Sequence, residues 1–153
     1  MSRVKAAPVA AAAAILLAGA AGVWWATGTG GPAPDNGEQV ATGRTLYAEH
    51  CASCHGASLE GQPDWRTRKP DTRMPAPPHD ASGHTWHHPD ETLFAITRDG
   101  LAKHAPPGYQ TDMPGFGGTL SDEQIRAVLA FIKSTWPSEV RARQETASAQ
   151  ARR

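Results

Sequence analysis

The segment Cys51-Ala52-Ser53-Cys54-His55 contains both cysteines of the chain and places a histidine directly after the second one. The pattern C-x-x-C-H is typical of covalent haem attachment, in which two thiols bond the two vinyl groups of one porphyrin. Thiols three residues apart lie on one turn of a helix, close enough to reach a single macrocycle. The imidazole of His55 would then approach the iron from the proximal side. The segment therefore predicts one haem c per chain, held by Cys51, Cys54 and His55.

Other sites that use paired cysteines fit this chain less well. A dithiol redox motif is expected near a βαβ pattern, and no run here has the alternation or β-branched character of strands. A structural zinc site needs four ligands, and the chain has no third cysteine. A disulfide between Cys51 and Cys54 would close a very small loop and constrain little of the unfolded chain. Covalent haem is the interpretation that these comparisons favour.

Residues 1–26 have the composition of a targeting segment. Arg3 and Lys5 precede an apolar run from Ala6 to Ala26, and the segment contains no acidic residue. A basic head followed by an apolar stretch directs a chain across a bacterial inner membrane. This agrees with the cysteines, because c-type haem is attached outside the cytoplasm.

Two fates of this segment remain open. The apolar run is about 20 residues long, enough to span the hydrocarbon core as a helix, and Trp24 and Trp25 suit a membrane interface. Against retention, Ala18-Gly19-Ala20 resembles a cleavage site of small residues. We expect a signal-anchor that holds the protein at the periplasmic face of the cytoplasmic membrane. A cleaved signal peptide and a soluble periplasmic protein are the alternative.

The rest of the chain divides into three parts by composition. Residues 27–36 are rich in glycine and proline and indicate a flexible linker. Residues 37–137 carry the haem motif and the helical patterns and form the expected globular domain. Residues 138–153 lack a sustained apolar stripe, so we expect a polar, partly disordered tail.

Helix signals occur at both ends of the globular part. Asp35 or Asn36 is a suitable N-cap for a helix that continues through Tyr47 to the haem motif. Ser121 and Gln124 form a capping box. The apolar residues after the box recur at helical spacing, which predicts an amphipathic helix ending near Trp136; they are Ile125, Val128, Leu129 and Ile132.

The middle of the chain is dominated by turn-forming residues. Residues 56–89 contain six prolines and several glycines, too many for long regular elements. A loop of this length usually has a function or encloses a ligand, and a haem would be such a ligand. A short helix is expected next, with Pro89 at its first position and Gly100 just past its end.

With these features in place, the chain resembles the class I cytochromes c over about residues 37–137. The resemblance is carried by the haem motif after an N-terminal helix, by Met113-Pro114-Gly115-Phe116, and by the closing helix that ends Lys133-Ser134-Thr135-Trp136-Pro137. It implies an all-α fold of three or more helices and long loops around one covalent haem. It also implies that the first and last helices cross at a glycine–aromatic contact, for which Gly43, Tyr47 and Phe131 are suitably placed.

The same resemblance implies a methionine as the distal iron ligand, in a loop before the last helix. Met113 matches that position, and a histidine–methionine pair would fill both axial sites of the iron. Met74 also precedes a proline and stays an alternative, as do a histidine and an open site.

An iron whose two axial sites are both filled predicts an electron carrier that is not an enzyme by itself. We expect it to exchange electrons with redox partner proteins and to be attached to the cytoplasmic membrane. The first alternative is a haem catalyst or gas sensor with a displaceable distal ligand. The second is a copper-handling protein that uses the histidine-rich loop 79–88, in which four histidines crowd together: His79, His84, His87 and His88.

The balance of basic and acidic residues indicates which classes of partner the protein can bind. The chain has 15 basic and 15 acidic residues, and without residues 1–30 the numbers are 13 and 15. No basic patch on the scale of a nucleic-acid interface is present, so we expect no nucleic-acid partner. A short basic run beside Trp65 is a candidate docking face for an acidic redox partner; it contains Arg66, Arg68, Lys69 and Arg73.

Overall fold

The computed structural model describes residues 30–153, which contain five α-helices and no strand. The helices are α1 (Gly37–His50), α2 (Ala52–His55), α3 (Asp90–Asp99), α4 (Asp122–Ser134) and α5 (Ser138–Ala151). Two single turns of 3-10 helix lie at Thr85–His87 and Leu101–Lys103. The prediction of an all-α fold is confirmed.

The expected signal or anchor segment, residues 1–26, lies outside the described residues. Within residues 30–153, none of the helices is both long enough and apolar enough to cross a membrane.

The core is built where α1 crosses α4. Gly43 lies directly against the backbone carbonyl of Ala127, where a β-carbon would collide with the oxygen. The close approach brings the rings of Tyr47 and Phe131 into an edge-to-face contact, with centroids 5.4 Å apart. The glycine–aromatic crossing that the resemblance implied is therefore confirmed.

Helix ends follow the sequence signals closely. The side chain of Asn36 accepts a hydrogen bond from the backbone N–H of Gln39 and caps α1. Ser121 and Gln124 form both hydrogen bonds of the capping box at α4. The caps satisfy backbone donors that a helix start leaves unpaired.

Between α2 and α3, the chain runs as an irregular loop that the 3-10 turn Thr85–His87 interrupts. The loop is held by hydrogen bonds to its backbone near its start and in its second half. The N–H of Gly61 donates to the carbonyl of His55 (2.7 Å), and the indole N–H of Trp136 donates to the carbonyl of His79 (2.8 Å). The predicted long loop is present, and Trp136, which follows α4, helps to hold it.

The expectation of a partly disordered tail at residues 138–153 is wrong. The chain turns at Pro137 and forms α5 from Ser138 to Ala151. As expected, the segment has little apolar character, but it buries the polar side chains of Gln144 and Ser148. These two residues are four apart and so lie on one face of the helix.

A buried hydrogen-bond network attaches α5 to the rest of the domain. The amide nitrogen of Gln144 donates to the carboxylate of Asp90 (2.7 Å) and to the carbonyl of His88 (3.2 Å). The hydroxyl of Ser148 accepts from the backbone N–H of Asp90 (3.0 Å). Lys133, itself 2% exposed, reaches the same carboxylate at 2.8 Å and 3.0 Å. Polar contacts therefore attach α5 to the domain, whereas most helices are attached by an apolar stripe.

Replacing Gln144 by leucine tests this attachment. We expect Gln144→Leu to lower the free energy of unfolding by about 2 kcal/mol, because the change leaves buried polar groups without a partner. Gln150→Leu is the matched control, since Gln150 is exposed on the same helix. Denaturant unfolding of the haem-loaded protein measures both. Equal stability of the two variants would show that the network does not hold α5.

Candidate haem site

The two cysteines and the histidine of the motif share one helical turn. Cys51 directly follows α1 as its C-cap, and its carbonyl accepts a hydrogen bond from the N–H of His55 (2.9 Å). Cys51 is buried and Cys54 is exposed, and both thiols are free. Burial, and after it the neighbouring Cys54, raises the pKa of the Cys51 thiol to about 11. The segment thus presents two unpaired sulfurs and one imidazole on a short rigid turn.

One nitrogen of the His55 ring is already engaged. Its Nδ1 lies 2.8 Å from the carbonyl oxygen of Pro77 and donates a hydrogen bond to it. This bond selects the tautomer that leaves Nε2 with a free lone pair, which is what a metal ligand requires. Burial lowers the pKa of His55 and favours the neutral ring, although the bond to Pro77 acts in the opposite direction. His55 is therefore prepared to bind iron through Nε2.

The hydroxyl of Tyr47 supports the same turn from α1. It donates towards the carbonyls of Gly56 (3.2 Å) and His55 (3.4 Å). The Tyr47 side chain is almost fully buried, and burial raises its pKa well above the usual value. The sequence singled out Tyr47 only for helix packing, and its second contact depends on how the chain turns after His55.

A further ring lies against His55 that the sequence did not single out. The rings of His55 and His79 are stacked, with centroids 3.8 Å apart and planes 17° from parallel. Burial, and after it the neighbouring histidines, lowers the pKa of His79 well below its usual value. The sequence places His79 only in a histidine-rich loop, and no local signal separates it from the other three histidines.

Those other histidines face aromatic neighbours at the surface. The ring of His84 stacks on Trp65 at 5.4 Å between centroids, and His87 stacks on Trp86 at 3.6 Å. His84 and His88 meet edge to face at 5.6 Å. In the part of the chain that the structure describes, no three His, Cys, Asp or Glu side chains converge as a metal site would require.

Met113 lies in a separate segment that packs on the end of α3. The N–H groups of Phe116 and Gly117 donate to the carbonyls of Thr97 (3.0 Å) and Arg98 (2.8 Å). Met113 is half-buried, and its own N–H donates to the hydroxyl of Thr111 (3.1 Å). The segment is thus held in place on the α3 side, and the assignment of Met113 as a ligand stays a prediction.

An ion-pair cluster joins this segment to the long loop. The carboxylate of Asp112 lies 2.7 Å from the guanidinium of Arg73 and 3.5 Å from the ammonium of Lys69. Met74 follows Arg73 and Met113 follows Asp112, so both candidate methionines flank the same ion pair. The ion pairs also use two of the four basic side chains of the candidate docking face, which reduces its free positive charge.

The residues present fit a covalently bound haem. Two free thiols and one imidazole with a free Nε2 lie on one turn, in an all-α domain whose loop wraps that turn. This fold and site define a haem-carrying domain of the c type.

A family comparison agrees with this class. The family model described as Cytochrome c matches residues 40–136, well over half of the chain. The chain belongs to the cytochrome c family, and its cofactor is a covalently attached haem c with iron. Membership indicates electron transfer as the broad function.

One curated relative and the solved structures complete the comparison. The chain is 30% identical over 98 residues to a protein named Cytochrome c-555 from Prosthecochloris aestuarii, covering 61% of this chain and 84% of the relative. No solved structure matches the chain significantly.

The Tyr47 hydroxyl gives a prediction that depends on pH. At pH 8, Tyr47→Phe should lower the free energy of unfolding by about 1 kcal/mol, because it removes a buried hydrogen bond. Above about pH 10, the unfolded wild type loses the tyrosine proton while the folded one keeps it. The stability advantage of the wild type should therefore shrink by about 1.4 kcal/mol per pH unit.

Denaturant unfolding between pH 8 and pH 11 measures this difference. Tyr109→Phe removes the other tyrosine and is the matched control. A pH profile of Tyr47→Phe that coincides with that of Tyr109→Phe would contradict the prediction.

Proposed function

We propose that the protein carries single electrons on a haem attached through Cys51 and Cys54, with His55 and Met113 as the axial iron ligands. When bound, the haem supplies the change between ferric and ferrous iron. The observation that carries the proposal is the hydrogen bond from His55 to the carbonyl of Pro77, which leaves Nε2 as the ring's only ligand atom. The protein's own contribution is to bind the haem and to keep both axial ligands in place.

The proximal side is well suited to that task. Pro77 fixes the tautomer of His55, and the hydroxyl of Tyr47 holds the carbonyls that follow it. When an axial ligand keeps its position in both oxidation states, the reorganisation energy of electron transfer is small. Nothing in this arrangement requires a substrate, and we propose that the domain is an electron carrier and not an enzyme.

For the distal side, Met113 is favoured over Met74 because it lies in the loop before α4, the position that the resemblance to class I cytochromes c implies for the ligand. Its segment is anchored by backbone hydrogen bonds to the end of α3. A thioether that completes the iron coordination favours the ferrous state and leaves no free position for small gases. Redox proteins are the partners that such a carrier requires.

Substitution of each methionine tests the ligand assignment. Met113→Ala should lose the sulfur-to-iron charge-transfer band of the ferric protein, should bind carbon monoxide when reduced, and should have a lower reduction potential. Met74→Ala is the matched control and should behave as the wild type does. Absorption spectra and redox titration at neutral pH measure these changes.

The opposite pattern, with the band lost in Met74→Ala, would make Met74 the ligand. Carbon monoxide binding by the reduced wild type at neutral pH would instead support a haem catalyst or sensor with a displaceable ligand.

We also propose that residues 1–26 export the chain and keep it at the periplasmic face of the cytoplasmic membrane, where haem is attached. The support is the basic head, the apolar run and the tryptophan pair of that segment. We expect the haem-stained protein in the membrane fraction, with the intact mass of the full chain. A mass that lacks about the first 20 residues would overturn the anchor and leave a soluble periplasmic protein.

A further inference from the structure

His79 is held in a fixed position between two aromatic rings. One face lies on His55, with centroids 3.8 Å apart, and the edge of Tyr47 approaches at 5.9 Å. The backbone of His79 is fixed as well, because its N–H donates to Leu59 (2.8 Å) and its carbonyl accepts from Trp136 (2.8 Å). The ring is therefore held against His55 by contacts that do not involve its own nitrogens.

Hydrogen bonding does not explain why a histidine occupies this position. The Nδ1 atom of His79 is buried and has no hydrogen-bond partner among residues 30–153. A buried polar atom without a partner is destabilising, so an apolar side chain of similar size would be more stable here. The closest aromatic contact of the ring is its flat stack on His55.

That stack has a consequence for the oxidation state of the iron. The imidazole of a metal ligand gives up electron density, and it gives up more to ferric than to ferrous iron. The His55 ring therefore carries more positive charge in the oxidised protein. An uncharged aromatic face attracts positive charge placed against it, so the His79 ring stabilises the ferric state.

We propose that His79 is a positioning residue for the proximal ligand, which fixes the plane of the His55 ring and lowers the reduction potential of the haem. The inference rests on the part of the proposed function in which His55 binds iron, and it does not depend on which methionine is the distal ligand. Outer contacts of an iron ligand are among the means by which a protein sets the potential.

The test compares haem-loaded variants in redox titrations. His79→Leu removes the aromatic face and should lower the ferric-to-ferrous ratio at a fixed potential about threefold, which raises the midpoint by about 28 mV at 59 mV per tenfold change. His79→Phe keeps an aromatic face on His55 and should restore a midpoint close to that of the wild type. His87→Leu is the matched control, since His87 stacks on Trp86 at the surface.

A second measurement separates positioning from a general structural effect. Ferric electron paramagnetic resonance and the hyperfine-shifted proton resonances of His55 report the orientation of the ligand ring. Both should change in His79→Leu, return in His79→Phe and stay unchanged in His87→Leu. If His79→Leu fails to take up haem, His79→Gln replaces it, with the same expected rise in midpoint.

Three results would overturn the proposal: an unchanged midpoint and spectrum in His79→Leu, a fall in its midpoint, or an equal shift in His79→Phe. Absence of hyperfine-shifted His55 resonances in the wild type would have a different meaning. It would refute His55 as the iron ligand, and with it the proposed function on which this inference rests.

Discussion

The side chain of Tyr47 connects the packing of the helices to the haem-binding turn. Its ring packs on Phe131 at the crossing that Gly43 makes possible, and its hydroxyl reaches the carbonyls of His55 and Gly56. Because the same ring also touches His79, one buried residue fixes α4, the haem motif and the stacked histidine relative to each other. The position of His55, the proposed iron ligand, thus depends on how α1 packs on α4.

The segments that carry His55 and Met113 are held by different kinds of contact. On the proximal side, His55 has a buried hydrogen bond to Pro77 and a stacked neighbour. On the side of Met113, the tertiary contacts include ion pairs of Asp112 whose side chains are more than one-third exposed. Ion pairs of that exposure contribute about 0–1 kcal/mol each and weaken with salt. The Asp112 ion pairs therefore add little to the backbone hydrogen bonds that attach the Met113 segment to α3.

Local patterns in the sequence predicted the features that depend on neighbouring residues: a cap at Asp35 or Asn36, the capping box at Ser121 and the turn that carries the haem motif. The sequence did not predict α5, because the residues that attach it are Gln144 and Ser148, and polar residues give no hydrophobic period. Their partner Asp90 lies more than 50 residues away in the chain. The sequence did not predict the stack of His79 on His55 for the same reason, because only the course of the long loop brings the two rings together.

The histidines of loop 79–88 show why clustering in the sequence does not by itself make a metal site. Metal binding needs ring nitrogens that converge on one point, whereas stacking needs ring faces that meet. His84 and His87 place their faces on Trp65 and Trp86. Burial, followed by the neighbouring histidines, lowers the pKa of His84 and His88, and Arg66 acts in the same direction on His84. The ring of His79 instead lies flat against His55, and we propose that the loop contributes to the haem site through this one aromatic face.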